Sequence, residues 1–183
     1  MLCSGHVFAQ QVPALNSVKF GISRVGLDAP DALANHYSLQ YNRLLGSGWV
    51  KTGVRLGYLK TTHPSFIPIK DNVRVRQTLD ALFSVNVLRS RTHRLYPGLG
   101  FSLWHRDDTI VRQASFATDA DGNRYVRDFT TGGAREYNIG PYYSLEYELR
   151  ILPTLSVSVQ GGLNNLGRAG WNSNAGATVG YHF

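Results

Sequence analysis

Charged residues stand an even number of positions apart in three stretches of the chain: Lys51 and Arg55; Arg74, Arg76 and Asp80; Glu146 and Glu148. Even spacing on an extended backbone puts each set on one strand face, because successive side chains point to opposite sides. Both signs occur, on different strands, so the chemistry on offer is an ion-pair network. Isolated charges in a space of low effective dielectric are costly, and such faces must pair lysine and arginine with glutamate and aspartate, with water bridging the rest. Two further groups could do acid–base work. His36 and Ser38, two apart, offer a base and a nucleophile, and His105-Arg106-Asp107-Asp108 offers acid and base groups without an evident nucleophile. Asp119, Asp121 and Asn123 are spaced like calcium-loop oxygens, but Gly122 is misplaced for an EF-hand and the closing glutamate is absent. No residue is assigned as catalytic, no metal is expected and no cofactor is called for.

The elements that must position these residues are strands. Val50, Thr52, Val54, Leu56 and Tyr58 alternate with Lys51, Gly53, Arg55 and Gly57, and Leu155, Val157 and Val159 alternate with Ser156, Ser158 and Gln160. Period two recurs along the whole chain, so the protein is all-β. Eight strands are expected, near Ser17 to Val25, Asn35 to Leu45, Gly48 to Lys60, Asn72 to Val87, from Leu95 onward, Arg135 to Arg150, Thr154 to Asn164 and Asn172 to Phe183. Connections after even strands are short: Gly46-Ser47-Gly48, Arg89 to Arg94, and Ile151-Leu152-Pro153. Those after odd strands are long, at Gly26 to Ala34, Thr61 to Asp71, His105 to Ala134 and Leu166 to Trp171.

The formal charge of +7 would suit nucleic acid, yet lysine and arginine are scattered, with no basic run interleaved with exposed aromatics. No run of eighteen apolar residues exists, which excludes a membrane-spanning helix but not a strand that needs about ten residues with one apolar face. A soluble up-and-down barrel is the structural rival. The second face decides against it, since a solvent-facing strand rarely carries so many glycines and serines. Inside a narrow barrel, small residues beside long ones are what the taper requires. Tyr37, Tyr41, Tyr58, Tyr143, Tyr147 and Tyr181 fall on the apolar face, where a ring can sit in lipid and its hydroxyl at the headgroups.

Residues 1–9 look like the tail of a secretory signal, with Val7 and Ala9 where a signal peptidase reads. Cleavage there would remove Cys3 and leave a mature chain, 10–183, of one domain without cysteine. At the other end the final strand closes on Phe183 with Tyr181 two residues earlier. In that ending, and in the short-turn, long-loop asymmetry, the chain resembles small bacterial outer-membrane β-barrels of the OmpA/OmpX type. Thr178 stands where that family usually has glycine.

The resemblance implies an eight-stranded antiparallel up-and-down transmembrane β-barrel in the bacterial outer membrane, both termini periplasmic. It implies recognition of Tyr181 and Phe183 by the barrel-assembly machinery, contact with outer-membrane lipid and lipopolysaccharide, and a monomer. The charged faces would then line a largely plugged polar lumen. The favoured role is non-enzymatic, structural or in surface interaction. Alternatives are a narrow porin-like pore and, because some small barrels modify lipid A, a lipid-modifying enzyme. Asp121-Gly122 between alternating segments predicts a two-residue hairpin turn at the tip of an extracellular hairpin able to meet an extracellular protein partner. Pairing Ala120 with Asn123 then requires a net odd register shift, expected as a bulge near Gly132-Gly133 or Asp107-Asp108.

Overall fold

The structure, a computed structural model, describes residues 15–27, 33–46, 48–62, 73–88, 90, 92–167 and 170–183. The expected leader at 1–9 and most of the first two long connections lie outside the described residues. Eight strands run in chain order: β1 Asn16–Gly26, β2 Leu33–Leu45, β3 Val50–Thr62, β4 Val73–Val85, β5 His93–Thr118, β6 Arg124–Leu152, β7 Leu155–Asn165 and β8 Trp171–His182. Each is antiparallel to its sequence neighbours, and β8 pairs with β1 to close a barrel. The seam extends past the last strand, because Asn16 and Phe183 exchange both backbone hydrogen bonds at 3.0 Å. Closure leaves the barrel body without a sheet edge.

Register sets the tilt. From Leu103 on β5, partners run through Leu79, Leu56, Leu39, Phe20, Val179, Val157 and Leu149 and return to β5 at His93, ten residues lower on the same strand. A stagger of that size over eight strands tilts them about 40° from the barrel axis. Every side chain on this path but the last is apolar, so the outer face is one continuous aliphatic and aromatic band.

Burial inverts the order of a soluble protein. On β2 it alternates strictly, with Ala34, His36, Ser38, Gln40, Asn42 and Leu44 buried and Leu33, Tyr37, Leu39, Tyr41 and Leu45 exposed. Phe101 is 65% exposed and Leu99 62%, whereas Lys19 and Glu148 are each 1% exposed. The interior is thus polar, and small residues make room for long ones. A methyl at Gly57 would overlap His36 and Thr78, and one at Gly162 would overlap the Tyr142 hydroxyl.

The β5–β6 hairpin departs from expectation at its tip. Asp119 and Asn123 close it: the Asp119 amide donates to the Asn123 carbonyl at 3.0 Å, and Gly122 N–H donates to the Asp119 carbonyl at 3.1 Å. Three residues therefore lie in the loop, with Gly122 at φ 83°, which makes the expected Ala120–Asn123 pairing incorrect. With three residues in the loop, Thr118 pairs with Arg124, in the same parity as Leu99 with Tyr143. No net odd shift is needed. Instead two single-residue irregularities cancel, one at Arg112 between Val111 and Gln113, the other at Arg127 on β6 opposite Ser115 and Phe116.

Close backbone approach separates the glycines. A methyl at Gly100 meets the Ala81 backbone, and one at Gly140 meets the Asn165 carbonyl, whereas at Gly161 the nearest atom is 3.7 Å away. Gly100→Ala and Gly140→Ala are expected to cost about 1–3 kcal/mol each in urea unfolding, because a neighbouring backbone cannot step aside. Gly161→Ala leaves the midpoint within error.

Candidate functional site

The lumen-facing side chains form three layers. Toward the short turns, Lys19 on β1 donates to Glu146 Oε1 at 2.5 Å, to Glu148 Oε2, and to Ser158 Oγ at 3.2 Å. Lys51 on β3 reaches Glu146 Oε2 at 2.6 Å and lies 3.7 Å above the centre of the Tyr96 ring. Neither β1 nor β3 neighbours β6, so these contacts cross the lumen as struts. All four charges are at least nine-tenths buried. Such burial is sustained only where each charge has an opposite partner and further hydrogen bonds.

In the middle layer Arg55 holds Asp80 through Nε at 2.7 Å and Nη2 at 2.6 Å. Ser102 donates to the other Asp80 oxygen, and Trp104 Nε1 donates to Ser102 at 2.8 Å. The Arg55 guanidinium stacks 4.9 Å from the centre of the Tyr142 ring. Toward the long connections, Asp108 accepts Arg106 at 2.6 Å with Arg76 at 3.8 Å, and Arg106 also reaches Glu136 at 3.0 Å. Beside this group sits an apolar cluster of Val25, Leu27, Ala34, Leu59, Trp104 and Leu166.

Of the residues singled out in sequence, Lys51, Arg55, Arg76, Asp80, Glu146 and Glu148 lie inside and in ion pairs. Arg74 shares their face but is half-buried and makes no ion pair among the described residues. Sequence reasoning missed Lys19, the residue that joins the two glutamates. It is the lone charge on the inward face of its strand, yet Ser17, Lys19, Gly21 and Ser23 already form a polar period-two face. The apolar cluster was missed too. Its signal is an inversion of the alternation, where Val25 and Leu59 turn inward while Arg24 and Lys60 turn outward.

His36 does not pair with Ser38. Its Nδ1 lies 3.1 Å from Ser23 Oγ and its Nε2 3.2 Å from Thr78 Oγ1, all in the lumen and with no carboxylate hydrogen-bonded to the ring. His105 packs tilted against Tyr137 with ring centres 4.7 Å apart, while Asp107 and Asp108 are taken by Arg135 at 3.0 Å and by Arg106. Asp119 Oδ1 accepts the amides of Asp121 and Asn123 at 3.0 and 2.7 Å, which commits it to the turn. No group of three metal-ligating side chains occurs among the described residues. Asp121 and Gly122 sit at the hairpin tip, and Tyr181 and Phe183 stack on the outer face beside the seam, ring centres 6.2 Å apart.

No protein-family model and no curated protein matches the sequence. Solved structures do match in fold. Neisserial surface protein A aligns with TM-score 0.64 at 10% identity, over 92% of this chain and 96% of its own. Ail, the attachment invasion locus protein of Yersinia pestis, aligns with TM-score 0.60 at 12% identity, over 94% of this chain and all of its own. The outer membrane protein OprG of Pseudomonas aeruginosa aligns with TM-score 0.55 at 9% identity, over 93% and 98%. In fold class the chain is an eight-stranded transmembrane β-barrel like the small outer-membrane barrels of the OmpA/OmpX type.

Removing one strut tests the layers. Glu146→Gln leaves Lys19 and Lys51 facing each other across a lumen with one remaining carboxylate. We expect a loss of about 3 kcal/mol in urea unfolding from lipid, the cost of an uncompensated buried charge. In a planar bilayer the variant opens in discrete steps where the parent is silent, and equal currents from both would count against the struts as the barrier.

Proposed function

We propose that the chain is an outer-membrane protein with a plugged lumen and periplasmic termini, which acts at the cell surface through the β5–β6 hairpin. The observation that carries this reading is the length of that pair. Among the described residues, pairing with β4 ends at Asp108 and pairing with β7 ends at Tyr142, with Asn165 still lying against Gly140, so β5 above Asp108 and β6 above Gly140 each present an edge without a described ladder partner. Phe116, Tyr125 and Phe129 are exposed on this raised part at 57%, 51% and 37%. An open edge flanked by exposed aromatics suits a protein partner that adds a strand, backbone bonds supplying affinity and aromatic contacts supplying selectivity.

Orientation follows from the asymmetry of the ends. Short turns and both ends of the barrel fall on one side and the raised hairpin on the other, as expected of periplasmic turns and extracellular loops. The cross-lumen struts and the apolar cluster above them favour this reading over a narrow pore. His36 faces away from any acyl chain in the leaflet, which disfavours lipid chemistry. Tyr181 and Phe183, stacked at the closing seam, are the assembly signal in this reading. Phe183→Ala is expected to slow insertion by isolated assembly machinery several-fold while leaving the folded barrel intact.

The test is a hairpin truncation that joins Val111 to Thr131 through Asn-Gly. Displayed on a non-adherent bacterium, the full chain raises attachment to epithelial monolayers, and the truncated chain returns it to the vector level. Heat-modified gel mobility verifies that the barrel still folds. Undiminished attachment by a folded, truncated barrel refutes the hairpin as the contact surface.

A further inference from the structure

The outer face carries a groove of about 480 Å³ across β2 to β5. Tyr41, Val54, Phe83 and Phe101 form its walls, and Ala81 lies at its centre, paired with Val54 on one side and Phe101 on the other. Leucine or phenylalanine occupies the neighbouring outward positions on β4, at Leu79 and Phe83, so the groove exists because residue 81 is alanine. Its lining is apolar except at one end, where Arg43 stands exposed two residues before β2 stops. Among the described residues no hydrogen bond or ion pair engages the Arg43 guanidinium.

Axial position follows from register and tilt. Phe101, Ala81, Val54 and Tyr41 are successive hydrogen-bonded partners, each about 3 Å further along the barrel axis, and Arg43 lies about 5 Å beyond Tyr41. The groove therefore spans about 14 Å, roughly half the apolar thickness of a bilayer. It begins at the level of the short turn and of Trp49, which is 46% exposed, where headgroups meet the barrel.

We propose that this groove is a binding site for one phospholipid of the periplasmic leaflet, its acyl chain over Ala81 and its phosphate on Arg43. The proposal rests on the outer-membrane reading above, which places the short turns in the periplasm. Charge complementarity selects the occupant. A guanidinium at headgroup level recognises a phosphate through paired, charge-assisted hydrogen bonds. A second copy in the same membrane, related by an axis along the bilayer normal, would bring its own Arg43 to the same height. Among the described residues the outer face offers no carboxylate there to receive either one.

The test inserts the full chain into vesicles of phosphatidylethanolamine and phosphatidylglycerol, releases it in mild detergent and weighs it by native mass spectrometry. The expected result is one retained phospholipid on the parent protein. Retention should fall about tenfold in Arg43→Gln, the worth of a charge-assisted contact, and equally in Ala81→Leu, which fills the groove without touching the charge. Arg24→Gln, an outward arginine near the opposite end of the barrel, should retain the lipid. Equal retention in parent and Ala81→Leu overturns the proposal, as does a lipid-free parent that has inserted and folded. A dimer mass that disappears in Ala81→Leu overturns it in favour of a second copy. Failure of the parent to insert at all defeats the outer-membrane reading itself and the groove with it.

Discussion

A narrow barrel whose outer face is apolar must hide its charges inside, and there they can be neutralised only by one another. Lys19, Lys51, Glu146 and Glu148 solve this by reaching across the lumen, so that β1 and β3 are tied to β6 without sharing a ladder with it. Each carboxylate or ammonium left alone in that space would carry an uncompensated desolvation cost. Much else in the interior follows from this requirement. Tyr96 lies beneath Lys51, Tyr142 against Arg55, and glycine stands where Lys19 and Tyr142 pass close to a neighbouring strand, at Gly180 and Gly162.

The same partition explains the two ends. Where the outward side chains become Arg24, Asn35 and Lys60, the inward ones become Val25, Ala34 and Leu59, and the polar lumen closes beneath an apolar cluster. The inversion marks the level at which the outer face ceases to be apolar. Among the described residues only β5 and β6 continue past it as a pair, and there each strand has one edge without a described ladder partner. That segment is freed from the inside-outside rule of the barrel body. It accommodates two bulges at Arg112 and Arg127 that a closed ladder would pass on to its neighbours.

The outer face is not uniform either. On β4 the outward positions flanking Ala81 carry Leu79 and Phe83, and the small side chain between them leaves a depression with an arginine at one end. The recess draws its walls from four strands, so its shape depends on tilt and stagger rather than on any single segment.

Period two by itself determined most of the architecture. It fixed the all-β class, the eight strands, the polar and apolar faces, and the membership of Lys51, Arg55, Arg76, Asp80, Glu146 and Glu148 in one inward set, because alternation is a local property of an extended backbone. Asp121-Gly122 marked a turn but misjudged its length, since the Asp119 side chain, bonded to two amides, stabilises a three-residue loop. Which charges meet was decided only by the closed barrel. Lys19 and Glu146 are remote in sequence and lie on strands that do not pair, and only stagger and tilt bring them within 2.5 Å. The same holds for the groove at Ala81. Alternation says which way a side chain points, whereas the curvature of the closed sheet decides what it finds there.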